Sequence, residues 1–111
     1  MTPNEYQQRA SRLAIYPEER AIEYVALGLA SEAGEVAGKV KKAIRDGRNW
    51  TGEQREEHRY AVLGELGDVL WYVAELARQY NLPLEDVMQH NIDKLESRQA
   101  RGTLTGNGDN R

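Results

Sequence analysis

Two long, one-sided apolar stripes constrain this chain more than anything else in it. Ile22, Val25, Leu29, Ala33, Val36, Val40 and Ile44 recur at spacings of three and four. Val62, Leu66, Val69, Leu70, Val73, Ala77 and Tyr80 form a second stripe of the same kind. Only an α-helix gathers such positions onto one face. At 1.5 Å per residue each of these helices is about 40 Å long. No segment alternates apolar and polar residues as a half-buried strand does. The expected class is therefore all-α.

Two shorter helices complete the expectation. Thr2 is a candidate cap before Pro3, and the first helix is expected from about Pro3 to Ile15, where Tyr16-Pro17 breaks it. Gly47 suits the end of the second helix and Thr51 the cap of the third. Asn81 suits the end of the third. Leu82-Pro83 opens the fourth, with Glu85 and Asp86 in its first turn and Met88, Ile92 and Leu95 as its stripe. Residues 1–101 read as one domain. Gly102 to Arg111, rich in Gly, Asn and Thr, reads as a flexible C-terminal tail.

The chain has 111 residues, of which 40% are hydrophobic and 30% charged, so it suits one globular domain, neither disordered nor membrane-bound. Few, long, one-sided helices cannot hide their stripes within one chain. A four-helix-bundle-type subunit that completes its core by dimerising or tetramerising is expected. The net charge of -3 argues against general nucleic-acid binding. There is no cysteine, which excludes disulfides, thiolate nucleophiles and Cys-bound metal sites. The first fifteen residues lack a basic start and an apolar run, so no secretory signal is read there and a cytoplasmic location is expected.

The chemistry sits in two acidic pairs. Glu32-Ala33-Gly34-Glu35 lies in the second helix and Glu65-Leu66-Gly67-Asp68 in the third. Carboxylates at i and i+3 are neighbours on a helix surface. With Leu29 as the stripe centre, Glu32 and Glu35 lie about 60° and 120° to one side. With Leu66 as the centre, Glu65 and Asp68 lie about 100° and 160° to one side. If the helices pack together, all four acids face one groove. Such a cluster is stable only with cations or with some groups protonated. Hard oxygen donors suit Mg²⁺, with Mn²⁺ as a substitute, and a Mg²⁺ site with open positions suits a polyphosphate.

Ordinary solvated helix faces carry such pairs too, but further residues favour the metal reading. Gly28, Gly34, Gly38, Gly64 and Gly67 fall inside helices, where each costs roughly 1 kcal/mol relative to Ala. Close backbone approach at the site, or tight helix packing, is the expected reason. Asn91, Lys94 and Arg98 follow one face of the fourth helix and suit substrate phosphates, or a plain basic face. Lys39 and Lys42 lie on the same side as Glu32 and Glu35 and suit phosphate or nearby acids. Tyr72, one turn after Asp68, suits a base or sugar, or the core. A di-iron carboxylate bundle is disfavoured, because neither His58 nor His90 has a Glu three residues before it.

Gly28-Leu29-Ala30-Ser31-Glu32-Ala33-Gly34-Glu35-Val36, followed by Glu65-Leu66-Gly67-Asp68-Val69-Leu70-Trp71-Tyr72, closely resembles the MazG-like nucleoside triphosphate pyrophosphohydrolases, part of the all-α NTP pyrophosphatase superfamily. Asn91-Ile92-Asp93-Lys94-Leu95-Glu96-Ser97-Arg98 resembles the family's third motif. The similarity runs from about Asn4 to Gly102, and Ser31 stands where many relatives carry Gly. The resemblance implies hydrolysis of the α–β bond of an NTP or dNTP to a monophosphate and pyrophosphate by a dimer or dimer of dimers. It implies Mg²⁺ on Glu32, Glu35, Glu65 and Asp68, with Glu32 or Glu35 serving the attacking water. It implies phosphate contacts from Lys94 and Arg98, and a sugar or phosphate contact from Asn91. A narrow member acting on dUTP, dCTP or phosphoribosyl-ATP, and a non-catalytic helical regulatory or assembly module, are the alternatives.

Overall fold

The computed structural model describes all residues, 1–111. It contains four α-helices and no strand: α1 (Pro3–Ser11), α2 (Ala21–Asp46), α3 (Gly52–Gln79) and α4 (Leu84–Ala100). Short 3-10 turns at Glu18–Arg20 and Gly47–Asn49 lead into α2 and out of it. The all-α expectation holds.

Local chemistry sets the helix ends. Thr2 and Thr51 each accept from the backbone N–H three residues on, and Glu5 and Gln54 reciprocate to the cap backbone, so α1 and α3 both begin in capping boxes. Asn81 adopts φ +57°, and Leu82 N–H reaches the Ala77 carbonyl at 2.9 Å. That pair is a Schellman stop, with Asn in the left-handed position. Gly102, at φ +68°, ends α4 in the same way, with Thr103 N–H on the Arg98 carbonyl at 2.8 Å.

The α1 helix stops four residues before Ile15. The Trp71 indole N–H takes the Ala10 carbonyl at 3.2 Å, and Ser11 Oγ takes that of Gln8 at 2.8 Å. The carbonyls of the last turn are thereby satisfied without further helix. Ile15 stands 96% exposed beyond it.

The α2–α3 hairpin is the main packing unit, α1 lies across α3, and α4 rests on α1 and α3. At its start α4 has no capping side chain of its own. Two amides of α1 serve instead. Gln7 Oε1 accepts from Leu84 N–H at 3.1 Å, and Asn4 Oδ1 accepts from Glu85 N–H at 3.1 Å. Gln7 Nε2 also donates to the Ala74 and Leu82 carbonyls, at 3.1 and 2.9 Å.

The core is thin. Only 8 of 111 residues are buried, and Val25 is the one member of the α2 stripe fully enclosed. Ile22, Val40 and Ile44 on α2, and Leu66 and Leu70 on α3, are exposed within the single chain. No helix is long and apolar enough to cross a membrane.

One buried group was invisible in the apolar pattern. Glu75 is 0% exposed. Its carboxylate accepts from the Tyr16 hydroxyl and from Arg78 Nη2 at 2.8 Å, while Gln79 Nε2 donates to the Tyr16 oxygen at 3.0 Å. The charge is thus buried only with its donors in place.

Candidate metal and substrate site

The hairpin brings three of the four acids together. Glu32 from α2 and Glu65 and Asp68 from α3 each place a carboxylate oxygen within 4.8 Å of the other two. Glu35 lies outside this group and is exposed. It acts on Glu32 through its charge.

The electrostatics are those of an under-neutralised cluster. Partial desolvation, then the charges of Asp68, Glu65 and Glu35, hold the Glu32 carboxyl above the usual carboxylate range. Lys39 supplies one counter-charge, its Nζ lying 3.5 Å from Glu65 Oε1. The donor set fits a hard divalent cation: it is made of oxygens alone, drawn from two helices, with excess negative charge.

Tyrosines form one flank. The Tyr72 ring lies directly over Gly28. Burial, then its neighbour Tyr24, then the charges of Glu32 and Asp68, raise the Tyr72 phenol above its ordinary value. Tyr6 on α1 is raised by burial and then by Asp68. Nothing in the acidic motifs announces Tyr6 or Tyr24, since both come from outside them.

The glycines divide. Gly28 exists to admit Tyr72, whereas a Cβ on Gly34, Gly38, Gly64 or Gly67 meets nothing within 4 Å in this chain.

None of the remaining expected residues forms an ion pair or hydrogen bond with the three acids. Lys42 is exposed and forms no ion pair, and Asn91 and Lys94 make no side-chain hydrogen bond or ion pair within the chain. Arg98 is 5% exposed, and its Nη2 donates to the Asp109 carbonyl at 2.7 Å. Its Nε has no partner.

A family model, the MazG nucleotide pyrophosphohydrolase domain, matches residues 20–102, a span that takes in all four acids and the Asn91–Arg98 segment. The chain belongs to the MazG family. It is 47% identical over 112 residues to the Gene 37 protein of Mycobacterium phage L5, covering 96% of each chain. It is 40% identical over 73 residues to the uncharacterized protein YvdC of Bacillus subtilis (strain 168), covering 63% of this chain and 68% of that one. No solved structure matches the chain significantly. The MazG assignment gives the acidic cluster its context: a nucleotide is the implied substrate and a pyrophosphohydrolase the implied class of enzyme.

Proposed function

We propose that the protein is a Mg²⁺-dependent pyrophosphohydrolase that cleaves the α–β phosphoanhydride of NTPs or dNTPs, giving a monophosphate and pyrophosphate, in nucleotide-pool house-cleaning. One observation carries the reading. Three carboxylates from two helices converge, with too little positive charge beside them. A divalent cation, which a triphosphate also needs, supplies what they lack.

In this reading Glu32, Glu65 and Asp68 hold the cation, and Glu35 joins them or serves the water. Bound Mg²⁺ would neutralise phosphate oxygens and make a water more acidic. Water attacks the α-phosphorus, pyrophosphate leaves, and the proton passes to a carboxylate. Glu35 suits that role because it stands free of the other three. Lys39 and Lys42 lie along the same helix and would draw phosphate charge, and Tyr72 would wall the sugar or base. Asn91, Lys94 and Arg98 would complete the phosphate contacts. Positioning and charge neutralisation suffice for such chemistry, with no covalent nucleophile.

The exposed stripe residues Ile22, Val40, Ile44, Leu66 and Leu70 support a homo-oligomer, dimer or dimer of dimers, in which a second copy covers them. Residues 1–101 are the catalytic domain in this account.

The test is a panel of NTPs and dNTPs with Mg²⁺, with products resolved. Monophosphate plus pyrophosphate is expected. Diphosphate plus phosphate, or no turnover with any triphosphate, would reject the reading.

A further inference from the structure

A second feature adjoins the acidic cluster and has no part in metal binding. A cavity of about 430 Å³ opens between α1 and α3, lined by Tyr6, Arg9, Ala10, Arg12, Leu13 and Trp71, with Met1 at its edge. Its place follows from helix geometry. Trp71 stands three residues after Asp68 on α3, so the two side chains are neighbours on one face. Tyr6, from α1, lines the same cavity as Trp71. The volume lies within the range of small-molecule sites.

Its lining chemistry is one-sided. The rings of Tyr6 and Trp71 offer aromatic surface, on which nucleobases stack. The two charged groups, Arg9 and Arg12, are donors only. Arg9 contacts only the Met1 sulfur, at 3.6 Å, and Arg12 has no side-chain partner. The Ala10 carbonyl, an acceptor on this wall, is already taken by the Trp71 indole. The lining contains no Asp, Glu, Asn or Gln. Free guanidiniums seek acceptor edges, as Arg does with O6 and N7 of guanine. An exocyclic amino group facing them would lie unpaired.

We propose that this cavity between α1 and α3 takes the nucleobase of the substrate, and that Arg9 and Arg12 make it select keto bases over their amino counterparts. The proposal rests on the reading that a nucleoside triphosphate binds at Glu32, Glu65 and Asp68. The cationic rim also suits an anionic ligand on a chain of net charge -3.

Matched pairs of substrates test it, because ITP and ATP, or UTP and CTP, exchange a keto for an amino group at one position. The kcat/KM ratios ITP/ATP and UTP/CTP should each be about tenfold or more, since a site built for one polar group rejects its replacement. In Arg9→Ala/Arg12→Ala both ratios should fall towards one, with circular dichroism confirming the fold. Ratios near one in the wild type, or ratios that survive the double variant, would overturn the proposal. Binding separates it from the hydrolytic reading. In Trp50→Phe protein, where Trp71 is the only indole, IMP should quench fluorescence at a lower concentration than AMP without metal. That result with no turnover would reject the hydrolase and keep the base pocket. Equal quenching, or none, would reject the pocket. Leu13→Glu tests the rival occupant: a smaller oligomer with unchanged ratios would make the cavity a contact between copies and defeat the assignment.

Discussion

The Tyr72 ring rests on the backbone of Gly28 so closely that a Cβ at position 28 would stand 2.1 Å from Tyr72 Cε1. The glycine gives up helix propensity to hold that ring beside Glu32 and Asp68. Gly28→Ala regains about 1 kcal/mol of propensity but forces the ring aside, and overpacking of this kind costs about 1–3 kcal/mol. A net loss of stability is expected, together with a fall in kcat/KM. Thermal unfolding and nucleotide turnover check it, and a variant as stable and active as wild type would contradict the contact.

The acids are a burden on the fold, and neutralising them should show it. Glu32 is held above the usual carboxylate range, so its ionised form is disfavoured in the folded chain. Glu32→Gln should therefore leave metal-free stability equal or higher, while pyrophosphate release falls by about 100-fold or more, the scale of a lost acid–base or charge-stabilising group. Asp68→Asn and Glu35→Gln should lose activity in the same way with the helical fold intact. Added Mg²⁺ should raise the melting temperature of the wild type and not of Glu32→Gln. Melts with and without Mg²⁺ decide it.

A pH effect follows from Tyr16. Burial, then its bond to Glu75, raises its phenol above the ordinary value of 10.0. A phenol raised in the folded state contributes stability that is complete below 10.0 and is lost as pH climbs through the folded value. Tyr16→Phe removes a hydrogen bond to a charged group, worth about 1.5–3 kcal/mol. The wild type should exceed it by that margin in urea unfolding at neutral pH. The gap should stay level to about pH 9 and narrow beyond pH 10.

Arg98 tests the C-terminal segment. Its guanidinium meets the Asp109 carbonyl, and Arg111 donates to the carbonyls of Thr103, Leu104 and Gly108. In Arg98→Ala, trypsin should cut after Arg101 faster than in wild type, read by mass spectrometry. Lys94→Ala should leave that cleavage unchanged and weaken nucleotide binding, read as a higher KM.

The hairpin was legible because its residues obey a local period. The Leu29 and Leu66 stripes specify two helices, and the offset of the acids from those stripes puts Glu32, Glu65 and Asp68 on facing sides. Thr2, Thr51 and Asn81 were readable because caps and left-handed stops depend on immediate neighbours. Glu75 was not readable. It is a charged residue in a helix full of charged residues, and its donor Tyr16 lies 59 positions away. Tyr6 and Tyr24 were hidden for the same reason, since only the packed fold brings them beside the acids. The angular offsets group Glu35 with Glu32, and its charge does act on Glu32, but it stands outside the three carboxylates that meet within 4.8 Å. The end of α1 was misjudged because an indole from α3, not a local residue, closes it.

The amides of Asn4 and Gln7 that cap α4 have a kinetic consequence. The α2–α3 hairpin closes through a short connection, so it can form early at small entropic cost. Leu84 and Glu85 instead wait for partners 77 and 81 positions back in the sequence. Such a long loop is slow to close. Docking of the α4 start onto Asn4 and Gln7 should therefore come late in folding, after α1 has settled on the α2–α3 hairpin.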